Sequence, residues 1–126
     1  MAIRGKRRRA TSPEANAAVF DRAHLVRYTM ESAELEREII TLFLVQLPST
    51  MAMLREADSA EAWKLATHTL KGSAAAVGAK RINQLASDLE LRQFDFNVKI
   101  KSELIVQLDR AIDDFRAMAG RIYSSP

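Results

Sequence analysis

Residues 59–78, Ser-Ala-Glu-Ala-Trp-Lys-Leu-Ala-Thr-His-Thr-Leu-Lys-Gly-Ser-Ala-Ala-Ala-Val-Gly, decide how this chain folds. Trp63, Ala66, Leu70, Ala74 and Val77 recur every three or four residues, the spacing that gathers side chains on one side of an α-helix. Asp58 or Ser59 is suited to cap the start, and Gly78 to take the left-handed conformation that stops a helix. At about 100° per residue, His68 points almost opposite the apolar stripe. Glu61, Lys64, Gly72 and Ala75 fall within about 40° of it, and Lys71 at about 60°. His68 is thus predicted to face outward. Gly72 lies one turn beyond it in mid-helix, where glycine costs about 1 kcal/mol relative to alanine. A partner that must come close to the backbone would explain that cost. Ala75 and Ala76 continue the low ground, and Lys71 puts an ammonium where it can neutralise an anion on the imidazole.

Working outward, Asp21 is predicted to cap a short helix running to about Met30, with Phe20, Leu25 and Tyr28 inward and His24 in a structural or surface role. Ser32 caps a longer helix, with Glu34, Glu36 and Glu38 suited to the positive end of its dipole. Its stripe is Leu35, Ile39, Leu42, Phe43, Leu47, Met51 and Leu54. Pro48 lies inside that stripe, which continues in phase beyond it, so the spacing predicts one kinked helix. After Gly78, a helix from Ala79 or Lys80 turns Ile82, Leu85, Ala86, Leu89 and Phe94 inward. Asn97 caps the last, which carries Ile100, Leu104, Leu108, Ile112, Phe115 and Met118 to about Tyr123. Connections of a few residues make neighbouring helices antiparallel. The expected fold is all-α: an up-down four-helix bundle over residues 19–123, with the short first helix capping one end. Residues 1–18 lack apolar periodicity and read as a flexible basic arm.

Composition narrows the chemistry. In 126 residues there is no cysteine, which removes disulfides, thiolate metal sites and cysteine nucleophiles, and only two histidines, so no metal site is expected. The longest apolar run, Ile39 to Val45, is too short to span a bilayer, and the basic start is not followed by the apolar core of a signal peptide. A cytoplasmic protein is expected. Of 19 basic residues, five lie at Arg4, Lys6, Arg7, Arg8 and Arg9, leaving 14 against 16 acidic ones in the rest. The body is near neutral, which weakens any inference of nucleic-acid binding from the net charge of +3.

The segment His68-Thr69-Leu70-Lys71-Gly72 resembles the His-x-x-Lys-Gly motif of the histidine phosphotransfer (HPt) family of multistep phosphorelays. The resemblance extends through Phe20 to Leu25, Leu42-Phe43 to Pro48, Ala66 to Gly78-Ala79 and Leu89-Glu90, covering about residues 20–118. It implies that His68 takes a phosphoryl group on its outer ring nitrogen, that Lys71 contacts the phosphoryl oxygens, and that Gly72, with Lys64, Ala75 and Ala76 around it, receives the partner. It also implies that Glu90 hydrogen-bonds the imidazole. Counting agrees with that placement: His68 is ten residues before Gly78 and Glu90 twelve after it, about 15 and 18 Å along antiparallel helices. The implied partners are receiver domains, one on a hybrid sensor histidine kinase and one on a response regulator. The implied role is a monomeric phosphocarrier without cofactor, whose partner supplies Mg²⁺. With no Walker-type glycine loop or kinase nucleotide motif, no ATP site is expected, and with both ends close to the limits of the bundle a free-standing protein is expected.

Two other readings remain open from the residues alone. One is a bundle of the same shape that only docks a kinase. The other is a helical protein that binds nucleic acid through its basic arm, an attraction that salt would weaken steeply. A histidine-based hydrolase lacks an accompanying serine or cysteine nucleophile motif.

Overall fold

The structure, a computed structural model, describes residues 19–92 and 98–123. Among them are five helices and no strand: α1 (Arg22–Tyr28), α2 (Ala33–Glu56), α3 (Ala60–Val77), α4 (Lys80–Arg92) and α5 (Val98–Tyr123). The first three helices begin at capping side chains. The Asp21 carboxylate accepts from the His24 N–H at 3.2 Å, the Ser32 hydroxyl from Leu35 at 3.2 Å, and the Ser59 hydroxyl from Ala62 at 3.1 Å. Each satisfies a backbone donor that has no partner inside its helix and contributes about 1 kcal/mol. Gly78, at φ +80°, ends α3, and only Ala79 separates it from α4.

Side-chain ties between helices give their directions. Trp63 Nε1 on α3 donates to the Leu89 carbonyl on α4 at 3.1 Å, while Asn83 Nδ2 reaches back to the Lys71 carbonyl at 3.0 Å. Arg55 on α2 grips Asp109 on α5 at 2.6 and 2.7 Å, and Arg37 Nε donates to the Tyr123 carbonyl at 3.2 Å. Rising numbers on one helix meet falling numbers on the other, so both pairs are antiparallel. Between them lie Leu54, Leu70, Ile82, Leu89, Leu108, Phe115 and Met118, all fully buried. Phe115 is met edge-on by Phe20 at 5.6 Å and by Phe43 at 5.4 Å. The Asp21 N–H donates to the Gly78 carbonyl at 2.7 Å, which seats α1 over the end of the bundle where α3 turns into α4. This is the expected all-α up-down bundle with its short capping helix.

Several details differ from the sequence expectation. Helix α1 stops at Tyr28, because Met30 and Glu31 adopt left-handed φ values of 55° and 65° in the turn to α2. Tyr28 is 70% exposed, so Leu25 and Phe20 carry the inward packing. On α2 the inward positions are Glu36, Ile40, Phe43, Leu47, Thr50, Met51 and Leu54; Leu35 and Leu42 are exposed. A carboxylate thus takes a core position. Glu36 accepts from Arg22 Nε at 3.1 Å and from the Tyr123 hydroxyl at 2.8 Å, and these bonds from two other helices satisfy the carboxylate in that position. Burial first, and the Glu36 carboxylate second, push the Tyr123 hydroxyl up to about 12. As the continuing stripe predicts, α2 is a single helix through Pro48. Thr67, outside the expected stripe, is fully buried, and its hydroxyl donates to the Trp63 carbonyl at 3.0 Å. The arm at 1–18, Phe94 and the Asn97 cap lie outside the described residues. No helix among the described residues is long and apolar enough to cross a membrane.

Candidate functional site

The stripe Trp63, Ala66, Leu70, Ala74 and Val77 is buried as the spacing requires, which turns the other side of α3 outward. His68 stands there with its side chain 73% exposed. On the neighbouring helix, Glu90 occupies the position level with it. Its Oε2 lies 3.3 Å from His68 Nδ1, and its Oε1 accepts from Lys71 Nζ at 3.1 Å. One carboxylate therefore holds both residues, an oxygen for each. Lys71 is half-buried and lies against Glu90.

The electrostatics of the trio follow from that sharing. The Lys71 ammonium holds the Glu90 carboxyl below its ordinary range; partial burial opposes this, and the bond to His68 adds to it. At neutral pH Glu90 is ionised and can only accept hydrogen bonds. Nδ1 of a neutral His68 must then carry the ring proton, an assignment made from this bond, and the lone pair is left on Nε2. An exposed imidazole with its inner nitrogen protonated is a nucleophile at its outer one.

The linkage has a definite sign. A carboxylate whose folded value is depressed contributes stability that is complete above its unfolded value, about 4.3, and is lost as pH falls through the lower folded value. In acid titrations followed by denaturant midpoint, native protein is expected to lose this increment below about pH 4, and Glu90→Gln to lack it. Parallel curves for the two proteins would show that the trio is not coupled.

Around His68 the ground is low. Gly72, Lys64, Ala75 and Ala76 are all exposed, and a Cβ added at Gly72 would meet nothing within 4 Å. Packing inside the chain therefore gives no reason for a glycine there. His24, half-buried on α1, bonds through its backbone to the Asp21 cap and stands apart from this face. Of the residues singled out from sequence, the structure brings together His68, Lys71 and Glu90, with Lys64, Gly72, Ala75 and Ala76 on the same helix as His68. Asn83, which bonds the backbone of Lys71 from α4, was not singled out, although it lies seven residues before Glu90 and so on the same side of its helix.

No curated protein and no solved structure matches the chain. The Hpt domain model matches residues 28–118, from the end of α1 to near the end of α5, and so takes in α2, α3, α4 and the trio. Both the fold and the matched span lead to one assignment: the chain belongs to the Hpt domain family, the histidine phosphotransfer modules that carry phosphoryl groups in phosphorelays and interact there with receiver domains.

Proposed function

We propose that His68 accepts a phosphoryl group on Nε2 and passes it on, serving as the carrier between a receiver domain of a hybrid sensor histidine kinase and one of a response regulator. The observation that carries this reading is the Glu90 carboxylate on Nδ1 of an exposed His68. In the forward step the Nε2 lone pair attacks the phosphorus of an aspartyl phosphate. The N–P bond forms as the acyl P–O bond breaks, and the aspartate leaves as a carboxylate. No proton need move, because Nε2 bears none. The ring then holds Nδ1–H and Nε2–P together and is formally cationic, a charge that Glu90 faces. Lys71, on a four-carbon stem beside the ring, is placed to turn its ammonium toward the incoming phosphoryl oxygens. Mg²⁺ would be supplied by the receiver, so this chain contributes the acceptor, its orientation and compensating charge.

The face formed by Lys64, Gly72, Ala75 and Ala76 receives the receiver domain in this reading, with the bundle at 19–123 as the working unit, monomeric and cytoplasmic, and residues 1–18 as a separate basic arm. Gly72 then separates stability from function. Gly72→Ala is expected to raise stability by up to about 1 kcal/mol, since glycine is the poorer helix former and the new methyl group meets nothing. It should also slow transfer from a receiver, because that methyl group stands where the partner closes. Denaturant midpoints and transfer time courses on the same preparation check both halves; unchanged transfer would remove Gly72 from the docking face.

The reading itself is tested by incubating the protein with phosphorylated receiver domains and mapping the label. The expected label is acid-labile, alkali-stable and confined to His68, as an N-linked phosphoryl group requires. An acid-stable label, or one on His24, would overturn it.

A further inference from the structure

We propose that Asn83 is a positioning residue for this site: its bond to the Lys71 carbonyl sets the phase of α4 on α3 so that Glu90 reaches His68 and Lys71 at once. The inference rests on the phosphotransfer reading above for its consequence, and on separate contacts for its geometry.

Asn83 is half-buried, and its Nδ2 donates to the Lys71 carbonyl at 3.0 Å. Glu90 lies seven residues further along α4, two turns less about 20°, and so on the same side. Together the two grip Lys71 at both ends, Asn83 at its backbone and Glu90 at its ammonium.

The hydrophobic packing of α4 cannot impose this alignment alone. Ile82, Leu85, Ala86 and Leu89 make the buried side of α4, and apolar burial is non-directional. A carboxylate about 6 Å from the helix axis moves by about 2 Å when the helix turns by about 20°. Bonds of 3.1 and 3.3 Å do not survive such a shift. Directional bonds are needed, and beside those of Glu90 itself Trp63 and Asn83 each supply one. Trp63 Nε1 holds α4 at the Leu89 carbonyl, but a single bond leaves a pivot. Asn83, six residues and about 9 Å away along α4, removes it. Asn83 touches none of the reacting atoms, so its effect passes through Glu90 to the ring proton on Nδ1.

The test compares native protein with Asn83→Ala and with Asn83→Leu, which keeps the side-chain volume and lacks the donor. Long-range ¹H–¹⁵N spectra report the His68 tautomer, phosphoramidate serves as a small-molecule phosphoryl donor, and circular dichroism monitors the fold. Both variants are expected to remain helical, to lose part of the Nδ1–H preference, and to label at His68 about tenfold more slowly. A native tautomer in the folded variants would overturn the proposal, whether or not labelling had slowed. Should Asn83→Ala fail to fold, Asn83→Leu decides. If native protein takes no label from phosphoramidate or from phosphorylated receiver domains, the phosphotransfer reading falls, while the tautomer comparison still judges Asn83.

Discussion

His68→Ala is expected to take up no phosphoryl group from any donor that labels the native protein, a fall of about 10³-fold or more, with the fold left intact. The reasoning is local. The His68 side chain is 73% exposed and meets Glu90 at 3.3 Å. Substitutions at such surface positions stay within about 0.5 kcal/mol, and the Lys71–Glu90 pair at 3.1 Å does not involve the ring. The variant should therefore show native helicity and a native denaturant midpoint. Its loss of label then reports removal of the acceptor atom and nothing else. His24→Ala is the matching control and is expected to label fully, because His24 sits on α1 away from the carboxylate that orients the ring. Undiminished label on His68→Ala would end the assignment.

Gly78→Ala is expected to produce the opposite outcome, a large loss of stability at a residue with no part in the chemistry. Two effects add. At φ +80° an alanine occupies the left-handed region, at a cost of about 1–2 kcal/mol. Its Cβ would also lie 2.5 Å from the Asp21 carbonyl oxygen, inside contact distance. Relief requires the start of α1 to lift, which breaks the 2.7 Å bond from Asp21 to the Gly78 carbonyl, worth about 1 kcal/mol, and loosens Phe20 from Phe115. The total expected loss is about 2–4 kcal/mol, read as a lower midpoint in denaturant. Gly78→Asn separates the two causes. Asparagine tolerates the left-handed conformation but brings the same Cβ, so it should recover only the conformational part. Full recovery in Gly78→Asn would show that the approach of Asp21 is unimportant.

How much of this was legible depended on what surrounds each helix in sequence. Helix α3 is bounded by Ser59 and Gly78 and carries a narrow stripe of Trp, Ala, Leu and Val among polar residues, so one phase fits it and the outward position of His68 follows. The first half of α2 offers no such choice. Leu35, Ile39, Ile40, Leu42, Phe43, Leu44, Val45 and Leu47 cover most of its circumference, and several phases bury them equally well. The observed phase turns Glu36 inward, and its partners Arg22 and Tyr123 lie 14 and 87 residues away. Local periodicity contains nothing of them. The site divides in the same way. Counting from Gly78 sets Glu90 level with His68, whereas the sharing of Glu90 with Lys71 is a matter of side-chain rotation that spacing does not encode. Asn83 is not legible in the sequence, because a lone amide on a helix reads as ordinary surface until its partner is seen.

The pairing of Glu36 with Arg22 and Tyr123 also orders the folding of the chain. The turns from α2 to α3 and from α3 to α4 are short, and these hairpins can assemble through contacts close in sequence. Joining Tyr123 to Glu36 closes a loop of 87 residues, and the entropy of so long a closure favours its forming late. A contact that forms last is also the first to open. Partial unfolding should therefore begin at the pole where α1 meets the end of α5, releasing Phe20 and Tyr123 while the hairpin of α3 and α4 holds His68 against Glu90. The carrier face would outlast the end of the bundle that closes it.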